Sequence, residues 1–84
     1  MNNSEVKTLD ALFLLPLPTN LEWRRIELLL LALGCDCIEG SGSRVRFVCN
    51  GHVLSVHRPH PAKEAKTYQV KQVKEHLLLL GVKR

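Results

Sequence analysis

Apolar positions in the chain recur at helical spacing near the N-terminus and alternate with polar positions further on. In residues 4–15 they return every three or four positions, which predicts an amphipathic helix with Ser4 as its N-cap. Pro16 and Pro18 end this helix because proline lacks a backbone donor. We expect residues 1–18 to form a helical extension, which covers surplus leucines of the next helix or regulates access to a site.

A second helix is predicted over residues 21–33. Thr19 and Glu22 have the spacing of a capping box, and Gly34 suits the position after the last turn. Leucines occupy several sides of this helix rather than one stripe. A helix that is apolar on more than one side has more than one neighbour to cover.

From Cys35 onwards the pattern changes to the alternation that is typical of strands. The three predicted strands are 35–39, 44–49 and 52–57. Residues 40–43 form the first connection, and Asn50-Gly51 forms the second. Asn-Gly is a preferred pair for a two-residue hairpin turn of type I′, so the strands are expected to be antiparallel.

The hairpin turn also predicts which residues share a face of the sheet. Counting back from the turn places Arg44 opposite His57 and Arg46 opposite Ser55. We expect this face to be open to solvent or ligand. The other face is apolar and is expected to contact the helices; it holds Val45, Phe47, Leu54 and Val56.

The last third of the chain predicts a loop and a third helix. Pro59 and Pro61 exclude a central strand from residues 58–66. A helix is expected from Thr67, as its cap, to about Leu80. The order α-α-β-β-β-α corresponds to one α+β domain, with a three-stranded antiparallel sheet and helices on one of its faces.

Composition limits the class of protein. The chain has 84 residues, of which 45% are hydrophobic and 24% charged, enough for one small globular domain. Aromatic residues make up only 5%, too few for a base-stacking platform. The longest apolar run, Leu28–Leu33, is too short to span a membrane, and no clear signal-peptide cleavage site is present. We therefore expect a cytoplasmic protein.

The two halves of the chain differ in net charge. Residues 1–42 carry a net charge of −3, whereas residues 43–84 carry +7 and all four histidines. A basic, histidine-rich half favours a polyanionic partner, and nucleic acid is the simplest such partner. A merely solubilising surface is the alternative.

The three cysteines are expected to be free structural thiols. An odd number does not close a disulfide framework. Cys35 and Cys37, taken with Cys49 and His52, also lack the C-x2-4-C spacing of structural zinc sites. We expect no metal and no cofactor.

Two short motifs resemble those of the HicA toxins, the small ribonuclease partners in HicAB toxin–antitoxin pairs. The stretch Gly42-Ser43-Arg44-Val45-Arg46-Phe47 resembles the G-S-H-x-x-F element of that family. His60-Pro61, just before Lys63-Glu64, is similar to its second histidine-containing segment. The order helix, three-stranded meander, helix over residues 19–82 is also similar to that of the family.

The resemblance implies a fold like that of a double-stranded-RNA-binding domain over residues 19–84. It also implies a metal-independent endonuclease that hydrolyses mRNA and is neutralised by a HicB-like antitoxin. In that family the key histidine follows Gly-Ser, and Arg44 occupies this position here. A guanidinium group cannot act as a general base, although it binds phosphate well.

We therefore expect His57, opposite Arg44, to transfer protons, with His60 as a second catalytic candidate. Histidine takes up and releases protons near neutral pH. The residues expected to bind RNA are Gly42, Ser43, Arg44, Arg46, Ser55, Arg58, Lys63 and Lys66. Two alternatives stay open: a non-catalytic RNA-binding module of the same fold, and a protein-interaction domain whose leucine-rich helices dock an antitoxin.

Overall fold

Within residues 1–83, which the computed structural model describes, three helices and one three-stranded antiparallel sheet follow the predicted order. The elements are α1 (Asn3–Leu12), α2 (Trp23–Ala32), β1 (Asp36–Glu39), β2 (Arg44–Cys49), β3 (His52–His57) and α3 (Thr67–Leu79). The sheet order is β1-β2-β3, a simple meander. The predicted α+β class is confirmed. No described helix is long and apolar enough to cross a bilayer.

The N-cap of helix α1 lies two residues before the predicted one, and the helix ends earlier than predicted. Asn2, not Ser4, is the N-cap: its side chain accepts a hydrogen bond from the Glu5 backbone at 2.8 Å. The Glu5 carboxylate accepts one from the Asn2 backbone at 2.9 Å, which completes a capping box. The helix ends at Leu12, and the chain then turns before Pro16.

The predicted capping box of Thr19 and Glu22 is wrong. Glu22 is itself the N-cap of α2, without a side-chain hydrogen bond, and it forms an isolated β-bridge with Glu64. This bridge is extended by the Ala65 amide, which donates to the Leu21 carbonyl at 2.8 Å. Pairing with the later loop keeps residues 21–22 extended, so the helix starts too late for Thr19 to cap it.

The β2–β3 hairpin has the predicted turn and register. Asn50 and Gly51 both have positive φ values, 48° and 81°, as a type I′ turn requires. Arg44 lies opposite His57, and Arg46 lies opposite Ser55. Alternate residues of both strands are buried, so one face contacts the core and the other is open.

The core lies between the apolar face of the sheet and the helices. Phe47 of β2 is fully buried and makes an edge-on ring contact with Trp23 of α2, with centroids 6.5 Å apart. Helix α3 packs on β3, and α1 packs on both α2 and α3. Leu12 brings α1 into this same core as a fully buried side chain. The leucines of α2 are therefore covered in part by α1.

Cys35 and Cys49 form a disulfide, so the prediction of free thiols is wrong for these two residues; Cys37 is free. Asp36 pairs with Val48 in the β1–β2 register, which brings Cys35 directly opposite Cys49, with 4.5 Å between their Cα atoms. The count of cysteines does not reveal such a register. His52 lies opposite Cys49 in the hairpin register, but its side chain is exposed.

Candidate nucleic-acid interface

A pocket of about 290 Å³ opens at the end of the hairpin that lies away from its turn. Its charged side chains come from the open face of the sheet, where the strand alternation directs them away from the helices. The residues that line it are Gly40, Ser41, Arg44, Val45, Arg46, Ser55, Val56 and His57. Four predicted site residues thus share one pocket: Arg44, Arg46, Ser55 and His57.

The loop between β1 and β2 forms one side of this pocket and positions Ser43. The loop is closed by the Gly40 amide, which donates to the Arg44 carbonyl at 2.9 Å, and Gly42 has a φ of +65° that favours glycine. The Arg58 amide donates to the Ser43 carbonyl at 2.8 Å. As a result, Ser43 Oγ lies 3.3 Å from Nδ1 of His57, within hydrogen-bonding distance.

His57 is also held from the helix side by Gln69, a residue that sequence reasoning missed. Gln69 is 1% exposed, and its Nε2 donates to the His57 carbonyl at 2.6 Å. Its Oε1 accepts a hydrogen bond from the Lys66 amide at 2.8 Å. Lys66, rather than Thr67, is the N-cap of α3. A glutamine three positions after a cap is a common cap signal, but the contact with β3 has no sequence signature.

Arg58 is engaged in an ion-pair network instead of facing the pocket. Its Nε lies 2.6 Å from Oε2 of Glu27, and its Nη1 pairs with Oε1 of Glu39. Trp23 donates its indole N–H to the same Glu27 carboxylate. The hydrogen bonds to Glu27, then those to Glu39, raise the pKa of Arg58 above its usual range. The guanidinium that we expected to bind RNA therefore already has two carboxylate partners.

The remaining predicted site residues lie outside the pocket lining. His60 is exposed on the loop between β3 and α3. Lys63 is also exposed, but it borders a different hollow, shared with Trp23 and Arg58. Lys66 is exposed at the start of α3. The structure therefore divides the predicted residues into a pocket group and a group on the loop and the start of α3.

The pocket combines groups that are able to bind an anion with one that is able to transfer a proton. Arg44 and Arg46 present guanidinium groups, which bind phosphate oxygens through paired N–H donors. His57 adds an imidazole, and Ser43 lies against its Nδ1, which leaves Nε2 for a ligand. None of the eight lining residues carries a carboxylate, the usual protein ligand of Mg²⁺. The arrangement is suited to acid–base chemistry on a phosphodiester.

Comparison with known proteins identifies one family whose model matches the chain. The family described as HicA toxin of bacterial toxin-antitoxin matches residues 23–79. This span runs from the first residue of α2 to the last residue of α3, and it contains every residue of the pocket lining. No curated protein and no solved structure matches the chain.

Proposed function

Since the chain belongs to the HicA family of toxins from bacterial toxin–antitoxin systems, we propose that it binds RNA at the open sheet face and cleaves it without a metal ion. The observation that carries this proposal is the pocket in which Arg44 and Arg46 lie on the same open face as His57, whose Nδ1 is 3.3 Å from Ser43 Oγ. Messenger RNA is the proposed substrate.

The proposed reaction is an internal transesterification. Arg44 and Arg46 hold the phosphate oxygens and offset the negative charge that develops on them. His57 accepts the proton of the ribose 2′-OH through Nε2, and the 2′-oxygen attacks the neighbouring phosphorus. The bond to the 5′-oxygen breaks, and this oxygen takes a proton from an imidazolium. The products are a 2′,3′-cyclic phosphate and a free 5′-hydroxyl.

His60 is the second candidate for the proton transfers. It stands between Pro59 and Pro61, which restrict the backbone of the loop. It does not line the pocket, so its participation requires that the bound RNA extend from the pocket to this loop. We assign to His57 the larger share of the catalysis on that ground.

A non-catalytic RNA-binding module is the second candidate function, and Arg44 is the observation that favours it. The family motif has a histidine where this chain has Arg44, and arginine binds phosphate but does not exchange protons near neutral pH. In either case we propose that a HicB-like antitoxin neutralises the toxin in the cytoplasm. An acidic antitoxin segment placed over Arg44 and Arg46 would mimic phosphate and exclude RNA.

Cleavage of a labelled mRNA by the purified chain in EDTA tests the proposal. His57→Ala should lower the cleavage rate by at least about 100-fold, because general acid–base catalysis contributes that much. RNA binding should survive, since the arginines remain. His52→Ala is the matched control: His52 is also exposed and stands at the other end of β3. It should cleave at the parent rate.

Three outcomes of this assay decide between the candidates. Equal cleavage by the parent and His57→Ala would contradict the role of His57. Loss of cleavage in His60→Ala alone would assign the proton transfer to His60 instead. A parent that binds RNA in a salt-sensitive manner, with no turnover, would establish the binding module.

A further inference from the structure

A cluster of three metal-ligating side chains lies at the turn end of the sheet, remote from the pocket. Cys35 precedes β1, Cys49 ends β2, and His76 comes from α3. Their two sulfurs and one imidazole nitrogen all lie within 4.8 Å of one another. Each of the three residues is only 4% exposed. Five residue steps along β2 separate this cluster from Arg44, about 17 Å at the usual rise of a strand.

His76 supplies a second, independent observation. Its Nε2 is buried and has no hydrogen-bond partner among the described residues. Buried polar side-chain atoms are nearly always paired, so an orphaned nitrogen indicates that a partner belongs there. Burial, and to a smaller extent the nearby His52, lowers the pKa of His76. This shift favours the neutral imidazole, which is the form that binds metal ions.

We infer that Cys35, Cys49 and His76 bind a zinc ion when the disulfide between the two cysteines is reduced. Two thiolates and one imidazole are the ligands that Zn²⁺ prefers. Ligand atoms around a tetrahedral zinc are about 3.5 to 4 Å apart, given Zn–S and Zn–N bonds of roughly 2.3 and 2.0 Å. The imidazole nitrogen already lies within 4.8 Å of both sulfurs. The sulfurs have to separate from about 2 Å in the disulfide to the spacing around zinc, which rotation of the two reduced side chains provides. A fourth ligand such as a water molecule would complete the tetrahedron.

The disulfide and the metal site exclude each other because they use the same two sulfurs. A dithiol reductant converts one state into the other: it transfers two electrons and two protons to the disulfide and becomes a disulfide itself. Cys35 and Cys49 are then thiols, and both release their protons as they bind Zn²⁺. In either state a covalent or coordinate link joins β1 to β2, and the zinc state also joins the sheet to α3.

Cobalt(II) titration of the full chain tests this inference. The protein is reduced with a phosphine, desalted under nitrogen and titrated with Co²⁺, a spectroscopic substitute for zinc. We expect one equivalent to give the visible bands of tetrahedral cobalt together with a thiolate-to-cobalt charge-transfer band. Both should disappear when Zn²⁺ displaces the cobalt. His76→Ala should weaken binding by more than about 100-fold, since even the loss of groups that only orient a ligand costs 10- to 100-fold.

The controls separate the cluster from other thiols and from RNA cleavage. Cys37→Ser removes the free cysteine outside the cluster and should keep the cobalt spectrum of the parent. The oxidised parent is a folded control that keeps the Cys37 thiol but not those of the cluster, and it should not give the cobalt bands. Absence of the bands from the reduced parent, or their loss in Cys37→Ser, would overturn the inference. Neither result depends on whether the protein cleaves RNA.

Discussion

Arg58 joins three elements through one side chain. It follows β3 directly and reaches Glu27 of α2 with two nitrogens, at 2.6 and 3.2 Å. A third nitrogen pairs with Glu39 at the end of β1. The Arg58 and Glu27 side chains are only 32% and 18% exposed, so solvent screens this pair less than a surface pair. Lysine could not replace Arg58 here because it lacks the planar fork of donors.

Arg58→Met should therefore destabilise the fold. Two carboxylates would lose a charged hydrogen-bond partner, with an expected cost of about 1 to 3 kcal/mol in the free energy of unfolding. Arg46→Met is the matched control, because Arg46 stands exposed on the open sheet face, and its unfolding should change by less than about 0.5 kcal/mol. Urea titration of both variants measures the difference. Equal midpoints for Arg58→Met and the parent would show that the network contributes nothing to stability.

At the scale of elements, Gln69 connects the first turn of α3 to the end of β3. It satisfies the His57 carbonyl and the Lys66 amide with one buried side chain. Gln69→Leu leaves both backbone groups without this partner, so unfolding should become easier by about 1 to 3 kcal/mol. Gln72→Leu, on the exposed side of the same helix, should be nearly neutral. Thermal unfolding compares the two, and similar melting temperatures would contradict the role of Gln69.

The same elements show how far the sequence determines the structure. β2, β3, their turn and their register were predicted correctly, because alternation and the Asn50-Gly51 pair are local signals. The start of α2 was not, because its backbone pairs with Glu64 and Ala65, about 40 positions further on. The Cys35–Cys49 disulfide was missed for the same reason: it depends on the register between β1 and β2.

In the candidate site, too, features set by local sequence signals were predicted, and those set by contacts between distant segments were not. Arg44, Arg46, Ser55 and His57 share one pocket because the hairpin alone places them on one face. The partners of Arg58 lie 31 and 19 positions away and come together only when α2 and β1 pack near the end of β3. The local spacing of apolar and polar positions does not predict ion pairs between elements that are distant in the sequence.

At the scale of the whole molecule, α1 precedes the segment that matches the family yet shares the core of that segment. Leu9 and Leu12 are 2% and 0% exposed, and Phe13 lies beneath the Lys74 ammonium, 5.6 Å from the ring centroid. We propose that residues 1–18 are an extension of a domain at 19–84, and that this extension is required for stability rather than for access to the pocket.

Leu12→Ala tests that proposal. The fully buried side chain leaves a cavity when it is truncated, and such changes cost about 2 to 5 kcal/mol. Leu15→Ala removes the same atoms from a leucine that is 79% exposed, so its free energy of unfolding should match that of the parent. Chemical denaturation provides the comparison. If the two variants are equally stable, α1 is dispensable to the core.

The strict alternation of the β2–β3 hairpin restricts how this chain can change length. One residue inserted within either strand would shift every later side chain of that strand to the opposite face. Val45 and Phe47, or Leu54 and Val56, would then face water, and the arginines or His57 would enter the core. We therefore expect insertions and deletions to be tolerated only outside these strands, for example at residues 59–62, and lineages that preserve the pocket should preserve the length of the hairpin.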